Sequence, residues 1–336
     1  MKSRNINIDF LRVLSCAAVV GLHTLGKNIS PWNHLLYYCC GFAVPVFFMT
    51  SGYILLNRKG ASFKYSLGKA IRILRVVFLW SAFTVVDTRF LRLLRWEPQG
   101  NPLKELVMTG WDSLIQKGRL WQMWYLGALI LVYFLLPVLS RMRDKLRWLW
   151  FATFLIGFGI QIASYCMNKP MQENVIQTFR LWTWLQYFML GGLIGSGEAG
   201  SMPVLRNLSK VSSNTWWLGI VFAVSVSFQY LAGKHLINNA YAEFFYDSAV
   251  IAVWVFSLFM WAMSRKNLRV GLIRFLSPLT MGIYLIHPLL YRFVKFYYKP
   301  DSLWTSILFF GFIFSVSAAI VYLMKKLGPL RWLVEL

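Results

Sequence analysis

The sequence predicts an all-α, polytopic integral membrane protein with about ten transmembrane helices around a central polar pore, and three observations lead there. Of its 336 residues, 58% are hydrophobic and only 14% charged, against roughly 25% charged in an ordinary soluble domain. Apolar runs of about 20 residues, enough to cross a hydrocarbon core of about 30 Å, recur from one end of the chain to the other. The basic residues gather in alternate connections, as a membrane topology with basic cytoplasmic loops requires.

The first span, 8–26, follows Lys2 and Arg4 and is apolar except for Asp9, Arg12, Cys16 and His23. Its start resembles a signal peptide, but Asp9 and Arg12 interrupt the apolar run and no small-x-small site follows, so the segment reads as retained. The second span, 36–56, contains PVFFMTSGY. A strongly basic loop then leads into the third, 71–90. The connection 91–120 mixes Arg89, Arg92, Arg95, Lys104, Lys117 and Arg119 at its borders and within it with Leu, Trp and Met, a pattern suited to lying along the membrane surface. Further spans follow at 121–139, 147–166, 181–196, 215–232, 247–264, 276–294 and 303–324. Trp148 and Trp150, Trp182 and Trp184, and Trp216 and Trp217 sit near span ends, where interfacial aromatic belts form.

The loops between these spans are too short to fold separately, so the chain reads as one membrane domain, 1–336. A net charge of +23 could suggest nucleic acid, but the basic residues fall where topology accounts for them and no nucleic-acid partner is expected. Lys2, Arg4, Arg58, Lys59, Lys64, Lys69, Arg72, Arg75, Arg141, Arg143, Lys145, Arg147, Arg206, Lys210, Arg265, Lys266, Arg269, Arg274, Lys325, Lys326 and Arg331 put both termini in the cytoplasm and the chain in the inner, cytoplasmic membrane. Cys16, Cys39, Cys40 and Cys166 lack metal-ligand spacing, so neither a disulfide framework nor a metal is expected.

Charged groups inside a span cost at least about 2.5–3.5 kcal/mol when they face lipid, so they turn inward. Arg12 and His23 lie eleven positions apart, which at 100° per residue is about 20° past three full turns, and they share one face. Asp9 and Cys16 fall near the same stripe. The helical rise puts His23 roughly 16 Å from Arg12 and about 21 Å from Asp9; Asp9 is therefore out of reach of His23 and three residues from Arg12, a pairing distance. Helix anchoring for that pair, and a packed neutral role for His23, remain open on spacing alone. Arg72 and Arg75 share a face at the mouth of the third span, which suits phosphate binding, although on spacing alone the positive-inside rule is the commoner account of such residues. Ser277, Thr280, Tyr284 and His287 form a polar stripe on the ninth span, where helix-to-helix hydrogen bonding is the plainer account for the first two.

Together these segments resemble the acyltransferase-3 family of membrane O-acyltransferases. An aspartate, an arginine, ten residues and a histidine on the first helix correspond to Asp9, Arg12 and His23. PVFFMTSGY, with Ser51 and Tyr53, resembles the family's second-helix motif, and Arg72 with Arg75 its arginine, two residues, arginine motif. WQMWYLGALILVYFLLP and GIYLIHP extend the resemblance over nearly the whole chain, while Gln122 stands where many relatives carry histidine. Some relatives add a C-terminal hydrolase-like domain, and the resemblance here is to the stand-alone form.

The resemblance implies acetyl-CoA as cytoplasmic acyl donor, with its phosphates at Arg72 and Arg75 beside Ser51 and Tyr53. It implies a hydroxyl of a cell-surface polysaccharide or its lipid-linked precursor as acceptor. His23 is then base or acyl carrier, with Arg12, Asp9 and His287 in the catalytic group. Trp96, Trp111, Tyr241 and Tyr246, near Glu243 and Asp247, are aromatic candidates for a sugar platform, though interfacial belt and loop packing is the plainer account of each. A transporter or flippase for a glycan or related polar substrate is the rival class, since an internal polar stripe also describes a substrate pathway.

Overall fold

The computed structural model describes residues 5–266, 268 and 270–335, all helix, turn or irregular chain. Lys2, Arg4 and Arg269, counted above among the cytoplasmic basic residues, lie outside the described residues. The helices are α1 (Ile6–Thr24), α2 (Pro31–Tyr38), α3 (Ala43–Leu55), α4 (Phe63–Leu94), α5 (Pro102–Leu114), α6 (Trp124–Arg141), α7 (Leu146–Cys166), α8 (Leu181–Ser196), α9 (Pro203–Ser212), α10 (Thr215–His235), α11 (Ala249–Met263), α12 (Val270–Leu276), α13 (Thr280–Tyr297) and α14 (Leu303–Lys326).

Seven stretches among the described residues are long and apolar enough to cross a membrane. The remaining expected spans coincide with α4, whose charges set it apart, and with α8 and α11, of 16 and 15 residues. The second expected span is broken. Ser30 caps α2, Pro31 starts it, and a turn at Cys39–Phe42 separates it from α3. The ninth, by contrast, runs unbroken as α13, with Ser277–Leu279, Pro278 inside, forming a short 3-10 turn at its start that joins it to α12. Helix α5 is capped by Asn101 and carries Leu103, Val107 and Trp111, spaced four apart, on an exposed face, as the amphipathic reading of 91–120 anticipates.

Helix α1 runs through the centre and packs against α3, α13, α14, α12 and α11. Helices α7, α10 and α14 leave most of their apolar surface uncovered, the character of a lipid-facing shell. The basic loops meet at one end. Arg143 bonds Asn57 at 2.9 Å and faces Glu198 at 3.5 Å, Asn7 bonds the carbonyl of Arg265, and Lys325 bonds that of Pro278.

Helices α3 and α8 cross with their backbones in close approach. A Cβ added at Gly52 would lie 1.7 Å from the Phe188 carbonyl oxygen, and one at Gly191 would lie 2.0 Å from that of Met49. Small residues spaced four apart, as Gly191 and Gly195 are, allow such backbone approach in membranes. Since α3 also carries Ser51 and Phe47, this contact sets the pore wall. Gly52→Ala is expected to destabilise the fold by at least the upper part of about 1–3 kcal/mol for overpacking, read as lower thermal stability in detergent. Melting unchanged from wild type would refute the contact.

Candidate active site

The polar stripe of α1 opens onto two chambers. Near its N-terminal end a cavity of about 730 Å³ is lined by Asp9 and Arg12; near its C-terminal end a second, of about 540 Å³, is lined by His23. Phe47, Tyr125 and Tyr284 border both. The Tyr125 ring centroid lies 5.7 Å from that of Tyr284 and 5.9 Å from that of Phe47, so the pore is divided by an aromatic partition.

Four cations face the first chamber: Arg12, Arg58, Lys69 and Lys325. Asp9 and Glu335 face it too. The expected Asp9–Arg12 ion pair is not formed: Ser277 Oγ donates to Asp9 Oδ1 at 2.7 Å instead, because the 3-10 turn at Ser277–Leu279 brings that hydroxyl against α1. Arg12 makes no hydrogen bond or ion pair within 4.0 Å to any described residue. Its guanidinium is a charge open to the chamber.

The other expected donor residues divide. Ser51 lines the chamber, whereas Tyr53, two residues and about 200° further round α3, points away and packs against Phe259 at 5.9 Å. Arg72 is exposed and outside the cavity lining, one turn beyond Lys69. Arg75 is engaged elsewhere. Its guanidinium lies 4.3 Å from the Trp332 ring, and Nη2 donates to the Glu335 carbonyl at 3.2 Å.

That partner belongs to a segment the sequence did not single out. Beyond α14, residues Gly328–Leu333 form a 3-10 turn that folds back under α4, held by Trp80 Nε1 donating to the Leu333 carbonyl at 2.9 Å. Val334 and Glu335 thereby reach the chamber mouth. The Glu335 carboxylate meets Lys325 at 2.8 Å and Arg331 at 2.6 Å. Burial works to raise its pKa, but the hydrogen bonds from Lys325 and Arg331 prevail and hold it below the usual carboxylate value.

The stripe on the ninth span faces α1 along its length. Ser277 and Thr280 line the first chamber, and Tyr284 stands in the partition. Next comes His287, fully buried with its ring centroid 5.3 Å from that of His23. His287 Nδ1 lies 2.9 Å from the Ile283 carbonyl. A carbonyl only accepts, so Nδ1 carries the proton and Nε2 is left with its lone pair. Nε2 has no hydrogen-bond partner among the described residues. Trp121 meets His23 edge-on at 5.1 Å, and the Tyr284 hydroxyl donates to the Gln122 carbonyl.

At the far rim of the second chamber stand Arg180, Glu173, Glu243, Tyr37, Tyr241 and Tyr246. Arg180 Nη1 pairs with Glu243 at 3.6 Å, while its Nε donates to the Val175 carbonyl at 2.8 Å. Burial raises the Glu243 carboxyl pKa, opposed by Arg180 and Lys27, and burial lowers the Lys27 ammonium to about 8. The other aromatic-cluster candidates lie apart. Trp96 and Trp111 are exposed outside the chamber, and Asp247 is a buried knot accepting from Thr183 at 2.6 Å and Trp182 at 3.2 Å. Among the described residues there is no group of three or more His, Cys, Asp or Glu placed to hold a metal.

The family model Acyl_transf_3, described as an acyltransferase domain, matches residues 5–326. An amino-acid racemase of Enterococcus faecalis is 23% identical over 310 residues, covering 86% of this chain and 41% of that protein. The chain thus spans about two-fifths of the length of that curated relative. No solved structure matches.

Proposed function

Because the chain belongs to the acyltransferase-3 family, we propose that it moves an acetyl group from cytoplasmic acetyl-CoA to a hydroxyl of a cell-surface polysaccharide or its lipid-linked precursor. The observation that carries this reading is the two-chamber pore. One stripe of α1 presents an open cation, Arg12, to the first chamber and His23 to the second, across an aromatic partition.

The first chamber is the donor side, facing the cytoplasm as the basic loops argue. Arg12, Arg58 and Lys69 meet the donor's phosphates, with Arg72 outside the chamber one turn beyond Lys69, Arg75 tethering the C-terminal segment across the mouth, and Ser51 on the wall. Arginine's planar fork and lysine's point charge both suit phosphate. The pantetheine arm then reaches along α1 past Phe47, Tyr125 and Tyr284 and delivers the thioester to the second chamber. The acceptor sugar enters from the opposite side among Tyr37, Tyr241 and Trp121, whose faces suit apolar sugar surfaces.

A hydroxyl is a weak nucleophile near neutral pH. His23 takes its proton as the oxygen bonds to the thioester carbonyl carbon. The C–S bond then breaks, the sulfur takes the proton from His23, and ester and free coenzyme A leave. His287, its ring beside that of His23, assists by offering its Nε2 as an acceptor to the imidazolium that forms there. Asp9, held by Ser277, adds negative charge near Arg12.

The test is mass spectrometry of surface glycans from cells with and without the gene. A mass difference of one acetyl group per modified sugar is expected. Identical glycans with altered export would overturn acyl transfer and point to a transporter.

A further inference from the structure

The second chamber holds a polar side chain for which neither the fold nor the residues assigned so far has a use. Gln122 is 1% exposed, and neither Nε2 nor Oε1 of its amide has a hydrogen-bond partner among the described residues. It forms part of the wall of the chamber that His23 lines. A buried amide group left unsatisfied costs about 1–3 kcal/mol, and such groups in native folds call for an explanation.

Gln122 is not loosely held. It sits in the 3-10 turn Trp121–Met123, whose first member meets the His23 ring, and its own carbonyl accepts from the Tyr284 hydroxyl in the partition. The backbone under this side chain is therefore anchored to both histidine-bearing helices, α1 through Trp121 and α13 through Tyr284. Its side chain carries an N–H donor in the wall of the chamber that His23 lines.

When a hydroxyl oxygen adds to a thioester, the carbonyl π electrons move onto the carbonyl oxygen, which becomes an oxyanion until the C–S bond breaks and the electrons return. His23 accounts for the proton, but none of the residues assigned above meets that oxyanion. We propose that Gln122 is a catalytic residue whose Nε2–H donates to the thioester carbonyl oxygen as it becomes negative. Donors fixed in advance at such a position are worth about 10²–10³-fold in kcat. This assignment rests on the acyl-transfer reading and adds a residue to it.

The test supplies radiolabelled acetyl-CoA to membrane vesicles from cells producing the full chain and measures label entering the endogenous glycan, normalised to correctly assembled protein by size-exclusion profile. Gln122→Leu keeps the shape and removes the donor. It is expected to lower kcat about 100- to 1,000-fold, with the donor KM within about twofold of wild type. Gln122→His, whose imidazole restores an N–H, is expected to stay within about tenfold of wild type. Wild-type kcat in Gln122→Leu, a loss confined to KM, or an equal loss in Gln122→His would each overturn the assignment. Wild-type vesicles that transfer no label would overturn acyl transfer itself, a result distinct from any of these.

Discussion

His23→Ala is expected to lower acetyl transfer by about 10²–10⁴-fold, the usual worth of general-base help, while donor affinity stays within about twofold. His23 lines only the second chamber, away from the cations of the first, so its loss is expected to leave the proposed donor site whole. The measurement pairs label incorporation into glycan with acetyl-CoA binding to the purified protein in detergent. Retained transfer would remove His23 from the mechanism. A second readout separates its two chemical roles: label from acetyl-CoA stable on wild-type protein before acceptor is added would make the histidine an acyl carrier, and its absence with full turnover supports the base.

Arg12→Ala is expected to act on the other chamber, raising the donor KM about 10- to 100-fold. A hydrogen bond between charged partners is worth about 1.5–3 kcal/mol, and each 1.4 kcal/mol is tenfold. Arg12 makes no ion pair or hydrogen bond to a described residue, so its charge is free for the donor's phosphates. Arg75→Ala is expected to change donor KM less, because its guanidinium is taken up by Trp332 and the Glu335 carbonyl. Calorimetric titration of both variants with acetyl-CoA checks this. Equal losses in the two, or no loss in Arg12→Ala, would contradict the reading.

The features legible in the sequence were those that depend on neighbours along one helix. Arg12 and His23 share a face because their spacing is close to a whole number of turns, and the structure puts both on the pore. The same periodicity carried Ser277, Thr280, Tyr284 and His287. Ser51 and Tyr53, by contrast, came from one motif and lie on opposite sides of α3. The glycines of the α3–α8 crossing carry a readable sign, Gly191 and Gly195 four apart. In the sequence Gln122 is only a departure from relatives, and its unmet amide depends on surroundings that the tertiary structure supplies.

The sequence by itself determined that the chain is a helical membrane protein with a polar stripe on its first span, because hydrophobic run length and helical period are local properties of the chain. Tertiary structure decided the rest. It gave Asp9 the Ser277 hydroxyl in place of Arg12, put Arg58, Lys69 and Lys325 on the chamber and left Arg72 outside its lining, folded Glu335 back to the mouth, and brought His287 beside His23. Each of these joins residues distant in sequence. Period fixes which side chains share a face, but the groups that face meets depend on how the other helices pack against it.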